Sequence, residues 1–350
     1  MSLAAHFRDF ARWCDDTSPL YASLSHSIAA ADDVLSVAAA VPDDQPGPNN
    51  LFAAVHALVL RGTDHELRAF YPSVVGPEAT TDPTESDPFP AFHDFVLTNE
   101  AAVRDLVATR RTQTNAVGRC SVLYPAFAHV AAAVDGPLAL VDVGASAGLN
   151  LSFDRYRYEY ELADGEALTV GIDDSPVTIP GEVRVGDPPL PADPPTVASR
   201  AGIDVNPLDV TDDADVNWLR ALVWPEHTDR HEQLRDAVAL AREDPPRIVE
   251  GNALDLLPTV VREIPAEYAV CIYDTQVLYQ LTDAERERYR GVLSGIASSR
   301  DLHWVSGHQS VDVDGAPAIE LRHAEVGTEG SDPTVIARYE SHGRWLHWLG

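Results

Sequence analysis

The residues best suited to chemistry lie in one stretch, LALVDVGASAGLNL at 138–151. An apolar, β-branched run ends in Asp142, after which Gly144, Ser146 and Gly148 alternate with alanines and a new apolar segment opens. This is how a buried parallel strand reads when it turns sharply into a helix. Small residues let the backbone approach a ligand closely, and free N–H groups at a helix start favour negative or electron-rich atoms. A small-residue turn at the carboxyl end of a first parallel strand usually binds something. Gly144-Ala-Ser146-Ala-Gly148 also matches the G-x-S-x-G elbow that presents a nucleophilic serine, with acids and His308 following in the right chain order. Against a hydrolase, that elbow sits in a sheet with several strands already laid down, and nothing before residue 138 reads as strand.

Four further groups could contribute. AGIDVNPLDV ends an apolar run in Asp204, and VGIDDSP offers Asp173 as a rival acid. Asp204 could instead merely cap a helix. GNALDLLP places Asn252 and Asp255 where a strand runs into a helix, and Asp255 could instead be an ordinary first-turn acid. IYDTQ puts Tyr273, Asp274 and Gln276 at the end of a buried strand, the edge at which open α/β sheets bind ligands. RRTQTNAVGRC (110–120) is a dense polar run between two apolar helices. Its Arg111, Thr114 and Asn115 either bridge a helical domain to the sheet or line a cleft and grip an anionic group. The Tyr/Arg alternation of DRYRYEY could stack a planar substrate or cover a strand. His303, His308, His342 and His347 lack tight metal-ligand spacing, so no metal is expected.

These residues need a scaffold, and the chain supplies two textures. Residues 1–134 read as a helical domain, with helices over 50–62, 91–111 and 120–134, the last kinked at Pro125. The Pro-rich acidic segment 74–90 reads as an exposed loop. From 135 to 350, strands alternate with helices, the pattern of a mostly parallel sheet. Strands are expected at 138–143, 197–210, 246–251, 268–274 and 302–309, with a hairpin or small sheet inserted at about 155–196 and an antiparallel pair near the end.

Composition bounds the function. The 350 residues are 45% hydrophobic, enough for a sizeable core, and no apolar run approaches a membrane span. The N-terminal MSLAAHFRDFARW carries Arg8, Asp9 and Arg12 in an amphipathic pattern and does not read as a cleaved signal. Cys14, Cys120 and Cys271 are far apart and odd in number, so neither a disulfide framework nor a zinc site is implied, and a reducing cytoplasm is expected. The net charge is −30, from 55 acidic against 25 basic residues, and lysine is absent. Such a chain repels itself in dilute buffer, whereas at ~1 M salt the Debye length is only ~3 Å, so a halophilic cytosol is the simplest account. Without lysine there is no Walker phosphate loop and no pyridoxal Schiff base. The spacing of Gly144 and Gly148 also lacks the G-x-G-x-x-G of a nicotinamide dehydrogenase. Nucleic acid is not an expected partner, since there is no basic stripe.

The order of parts after residue 138 resembles a class I S-adenosylmethionine-dependent methyltransferase. Asp142, Gly144 and Gly148 match that family's acid and glycine-rich turn, with Ser146 in place of the central glycine. The resemblance implies S-adenosylmethionine as cofactor and a small or medium-sized acceptor. It implies ribose contact by Asp204 or Asp173, adenine contact by Asn252 and Asp255, and a place beside the methyl group for Tyr273, Asp274 and Gln276. Over nearly its full length the chain is also similar to domain-of-unknown-function family 2332. The resembling pieces are SPLYASL (18–24), NLFAAVHALVL, FYPSV (70–74), RRTQTNAVGRC, DVGASAGLNLSFDRY, RAGIDVNPLDV, WLRALVWPE (218–226) and GNALDLLP. That similarity implies an α/β, methyltransferase-like (Rossmann-type) fold without an established reaction. A non-catalytic, ligand- or partner-binding scaffold therefore stays open beside methyl transfer, and the hydrolase stays as a third reading.

Overall fold

The computed structural model describes residues 2–113, 115–327 and 332–350. Before the first strand the chain forms helices α1 (Leu3–Cys14), α2 (Pro19–Ile28), α3 (Asp32–Ala38), α4 (Gly47–Leu60), α5 (Pro72–Val75), α6 (Phe89–Thr98), α7 (Glu100–Thr109) and α8 (Cys120–Ala132). The long helix expected over 91–111 is two helices. Asn99 leaves helical geometry and its side-chain amide donates to the Phe95 carbonyl at 2.9 Å, offering the backbone a competing partner where α6 ends. Pro125 lies inside α8, as expected.

The chain divides into two compact units, residues 1–114 with 212–235, and residues 115–211 with 236–350. This differs from a boundary at 134/135. Helix α8 belongs with the sheet, where its Phe127 ring meets Tyr273 with centroids 5.0 Å apart. Helix α9 (Asp213–Leu222) belongs with the helices. The buried His56 of α4 bonds the Ala221 carbonyl at 3.1 Å, and Asn217 donates to Ala57 at 3.0 Å. Among the described residues, no helix is long and apolar enough to cross a membrane.

The second unit holds β1 (Leu138–Val143), β2 (Arg157–Glu161), β3 (Ala167–Gly171), β4 (Thr178–Val185), β5 (Val197–Asp204), β6 (Ile248–Glu250), β7 (Ala269–Thr275), β8 (Leu302–Val313), β9 (Ala316–Glu325), β10 (Thr334–Tyr339) and β11 (Trp345–Trp348). They form one sheet in the order β3-β2-β4-β11-β10-β9-β8-β7-β1-β5-β6. The block β6-β5-β1-β7-β8 is wholly parallel, with antiparallel strands added beyond β8, so the fold is α/β with a mostly parallel Rossmann-type core. All six residues of β1 are buried, the consequence of an apolar strand covered on both faces. The insertion after β1 is not a separate sheet. Its β4 pairs with the terminal β11, which was not expected from the sequence, and so extends the main sheet.

Two more helices, α10 (Thr228–Glu243) and α11 (Ala253–Arg262), precede β7, and α12 (Asp283–Ala297) comes after it. One sheet face, carrying Val141, Val143, Ile203, Ile272 and Trp304, packs on Leu257 and Val260 of α11 and Tyr289, Leu293 and Ile296 of α12. Each such aliphatic side chain, fully buried, contributes roughly 1.5–3 kcal/mol. Arg300 closes the end of α11 by donating to the carbonyls of Val261, Ile264, Pro265 and Tyr268 at 2.8–3.1 Å. That fan of bonds suits a guanidinium and not an ammonium.

Candidate functional site

After the β2–β4 insertion the chain lays β5 and β6 on one side of β1, then β7 on the other. The carboxyl ends of β1 and β7 therefore form the crevice at which strand order reverses, the usual ligand position in open α/β sheets. The turn after β1 is built at close quarters. Gly144 has φ +80°, and a Cβ there would lie 2.3 Å from Val277 Cγ2; Gly148 has φ +73°, and a Cβ there would lie 2.7 Å from Pro246. Ser146 itself adopts φ 53°, which costs a non-glycine residue roughly 1–2 kcal/mol.

Asp204 holds this conformation. At the end of β5, its carboxylate accepts from the Ser146 N–H at 2.7 Å and the Asn206 N–H at 2.8 Å. The segment after the turn, Leu149–Arg155, is a short 3₁₀ helix. Its first N–H, on Leu149, already donates to Asn115 Oδ1 at 2.9 Å, and the Gly148 N–H donates to the Ala145 carbonyl at 2.7 Å. The α-helix with an open N-terminus that the sequence suggests after β1 is therefore absent. The small residues of the turn serve tight packing and a fixed backbone.

Asp142 and Asp274 are both buried at this edge. The register pairs Asp142 with Tyr273 and Val143 with Asp274, so the two carboxylates project to opposite faces. Burial pushes Asp142 up to about 7, with Asp204 and Asp274 adding to the rise; the Tyr273 hydroxyl and the Arg119 guanidinium oppose it. The Tyr273 hydroxyl is near enough to favour the charged form, yet it meets the geometry of no full hydrogen bond among the described residues. Arg119, also buried, donates to Thr275 Oγ1 at 3.0 Å and to the Ser341 carbonyl at 3.2 Å.

Asp274 is fully enclosed and well served. It accepts from Trp304 Nε1 and Ser306 Oγ, each at 2.7 Å, and from the Tyr289 hydroxyl at 3.2 Å. Burial pushes it up to about 6 against the pull of these three donors. Ser306 Oγ in turn lies 3.0 Å from His308 Nδ1. Gln276, just beyond β7, has φ 65°; its N–H donates to the Gly307 carbonyl at 2.7 Å, while its buried Nε2 has no partner among the described residues. Ser306, Trp304 and Tyr289 were not singled out from the sequence. The signal was the period-2 spacing of Trp304, Ser306 and His308 in the strand after IYDTQ, which puts three polar atoms on one face.

The other expected residues are dispersed. Asn252 is an exposed cap of α11, accepting from the Leu254 N–H at 2.9 Å, and the exposed Asp255 pairs with Arg288. Asp173 is exposed beyond β3, at the opposite end of the sheet order from β5. Arg111 pairs with Asp44 in the helical unit, Asn115 anchors Leu149 in the sheet unit, and Thr114 lies outside the described residues. Tyr156, Tyr158 and Tyr160 are fully buried, their hydroxyls donating to the carbonyls of Leu149, Phe153 and Ser121 at 2.6–2.7 Å, so they are core and not a stacking platform. His308 stands on β8, with β7 between it and β1, and its Nδ1 lies 3.0 Å from Ser306 Oγ. Among the described residues, no group of His, Cys, Asp or Glu is arranged to hold a metal ion.

A family model described as "Uncharacterized protein conserved in bacteria (DUF2332)" matches residues 4–348. The chain belongs to this family. No curated protein and no solved structure matches it. The match spans both units, as do the segments SPLYASL and DVGASAGLNLSFDRY that resemble family 2332.

Proposed function

We propose that this member of family 2332 is an S-adenosylmethionine-dependent methyltransferase acting on a small or medium-sized acceptor. The observation that carries the reading is the parallel order β6-β5-β1-β7-β8, with an acid and a tight glycine turn at the reversal point and a second acid ending the neighbouring strand. The turn would present a fixed backbone to a cofactor, held by the Asp204 carboxylate and by Gly144 packed against Val277. Asp204 spends one lone pair of each oxygen on the backbone, leaving acceptor capacity for two ribose hydroxyls. Asn252 and Asp255 lie exposed at the loop where an adenine amine would be met. The cofactor supplies an electrophilic methyl group. The chain's residues contribute alignment, exclusion of water and removal of a proton from the acceptor.

Isothermal titration in concentrated salt with S-adenosylmethionine and S-adenosylhomocysteine tests this reading. Saturable heat is expected with both, weakened at least about tenfold in Asp204→Asn, a loss of about 1.4 kcal/mol. Folded protein giving no heat with either compound would contradict it.

A further inference from the structure

We infer that His308 is the base that removes the proton from the methyl acceptor, with Ser306 and Asp274 as the positioning residues that fix its tautomer; this rests on the methyl-transfer reading. Asp274 itself is fully buried, with three donors around it, so it offers no face to a substrate. The proton count along the chain of contacts fixes the direction. Trp304 Nε1 and the Tyr289 hydroxyl donate to one oxygen of Asp274, and Ser306 gives its single proton to the other. The Ser306 oxygen then has only lone pairs to offer His308, so Nδ1 carries the imidazole proton and Nε2 carries the free lone pair.

The backbone is irregular at this group. The β8–β9 register skips a residue between Gly307 and Gln309, so His308 is the bulged residue of its strand. Bulges of this kind re-aim a side chain and gather beside active sites. The Gly307 carbonyl is tied to Gln276, whose strained backbone ends β7, one strand spacing (about 5 Å) from the β1–β7 crevice. His308 is half-buried, unlike its two relay partners.

Three arginines face the imidazole, Arg286 and Arg290 from α12 and Arg322 from β9. Each has a carboxylate partner, Asp283, Glu287 and Glu320, the last shared with Arg338. Desolvation first, then these cations, holds His308 below the usual histidine range, which keeps Nε2 unprotonated near neutral pH. This chemistry sets the acceptor class, a hydroxyl or amine that must lose a proton. Its O–H or N–H bond breaks, the proton goes to Nε2, and the pair left on the acceptor makes the bond to the methyl carbon, whose former bonding pair stays with sulfur. The proton then leaves from Nε2 to solvent.

The test is a nitrogen-15 histidine titration of the intact protein in concentrated salt, with and without S-adenosylhomocysteine, beside calorimetry on the same sample. His308 is expected as the Nδ1–H tautomer in the wild type, with its signals shifted by the bound compound. Ser306→Ala is expected to release the tautomer to a mixture and lower the His308 midpoint by about one pH unit, while Ser306→Thr restores both. A folded wild type with His308 as the Nε2–H tautomer overturns the inference, as does His308 unmoved by a compound that calorimetry shows to bind. Absence of binding heat is the separate failure of the methyl-transfer reading, and the inference falls with it.

Discussion

Asp142 and Asp274 stand at the ends of neighbouring parallel strands, both buried, and the sheet treats them differently. Asp274 faces the α11–α12 side and collects three donors from Trp304, Ser306 and Tyr289. Asp142 faces the α8 side, where a poorly placed tyrosine hydroxyl and a guanidinium engaged elsewhere are its nearest help. Both are pushed above the usual carboxylate range, and Asp142 further, to about 7 against about 6. The difference is one of completeness. Asp274 is finished by the fold and organises its neighbours, whereas Asp142 is left with capacity that the protein alone does not use. Perturbed, under-satisfied groups at a sheet crevice are where ligands are met.

Removing the finished carboxylate is expected to do the most harm. Asp274→Ala strands three buried donors and should cost about 3–5 kcal/mol in urea unfolding at fixed salt. A cost within the range of an ordinary surface substitution would show that the network is not formed. The unfinished carboxylate should behave in the opposite sense. Its raised value means that the folded state carries a penalty absent below the ordinary value near 3.8, growing as pH rises and complete above about 7. Asp142→Asn should therefore stabilise the protein by about 2–4 kcal/mol at pH 8 and change it little at pH 4. A gain that is equal at both pH values would contradict the origin assigned to it. Tyr273→Phe, removing a hydroxyl without a full hydrogen bond, should move stability least, by about 0.5 kcal/mol or less.

The parallel core was legible because its signals are local. The apolar run ending at Asp142 is a strand buried on both faces, and the alternation of apolar runs with amphipathic segments after it sets the order of strands and helices. The illegible features depend on pairing between distant segments. Joining β4 to β11 requires residues far apart in sequence to meet, and no local pattern encodes that contact. Alternation placed Tyr156, Tyr158 and Tyr160 on one face, but period-2 spacing does not say which face is covered. The relay was hidden for the same reason. Asp274 reads as exposed chemistry at a strand end until the β7–β8 register sets Ser306 beside it. Asp204 was found as an acid closing β5, whereas its grip on Ser146 is visible only when the strands are side by side.

Binding of S-adenosylmethionine in the β1–β7 crevice, as proposed, is open to a crystal structure of the protein with S-adenosylhomocysteine. The ribose hydroxyls are expected within hydrogen-bond distance of Asp204, and the amino-acid tail against the 144–148 turn beside Asp142. A nucleoside bound elsewhere, with Asp204 still contacting only Ser146 and Asn206, would contradict it.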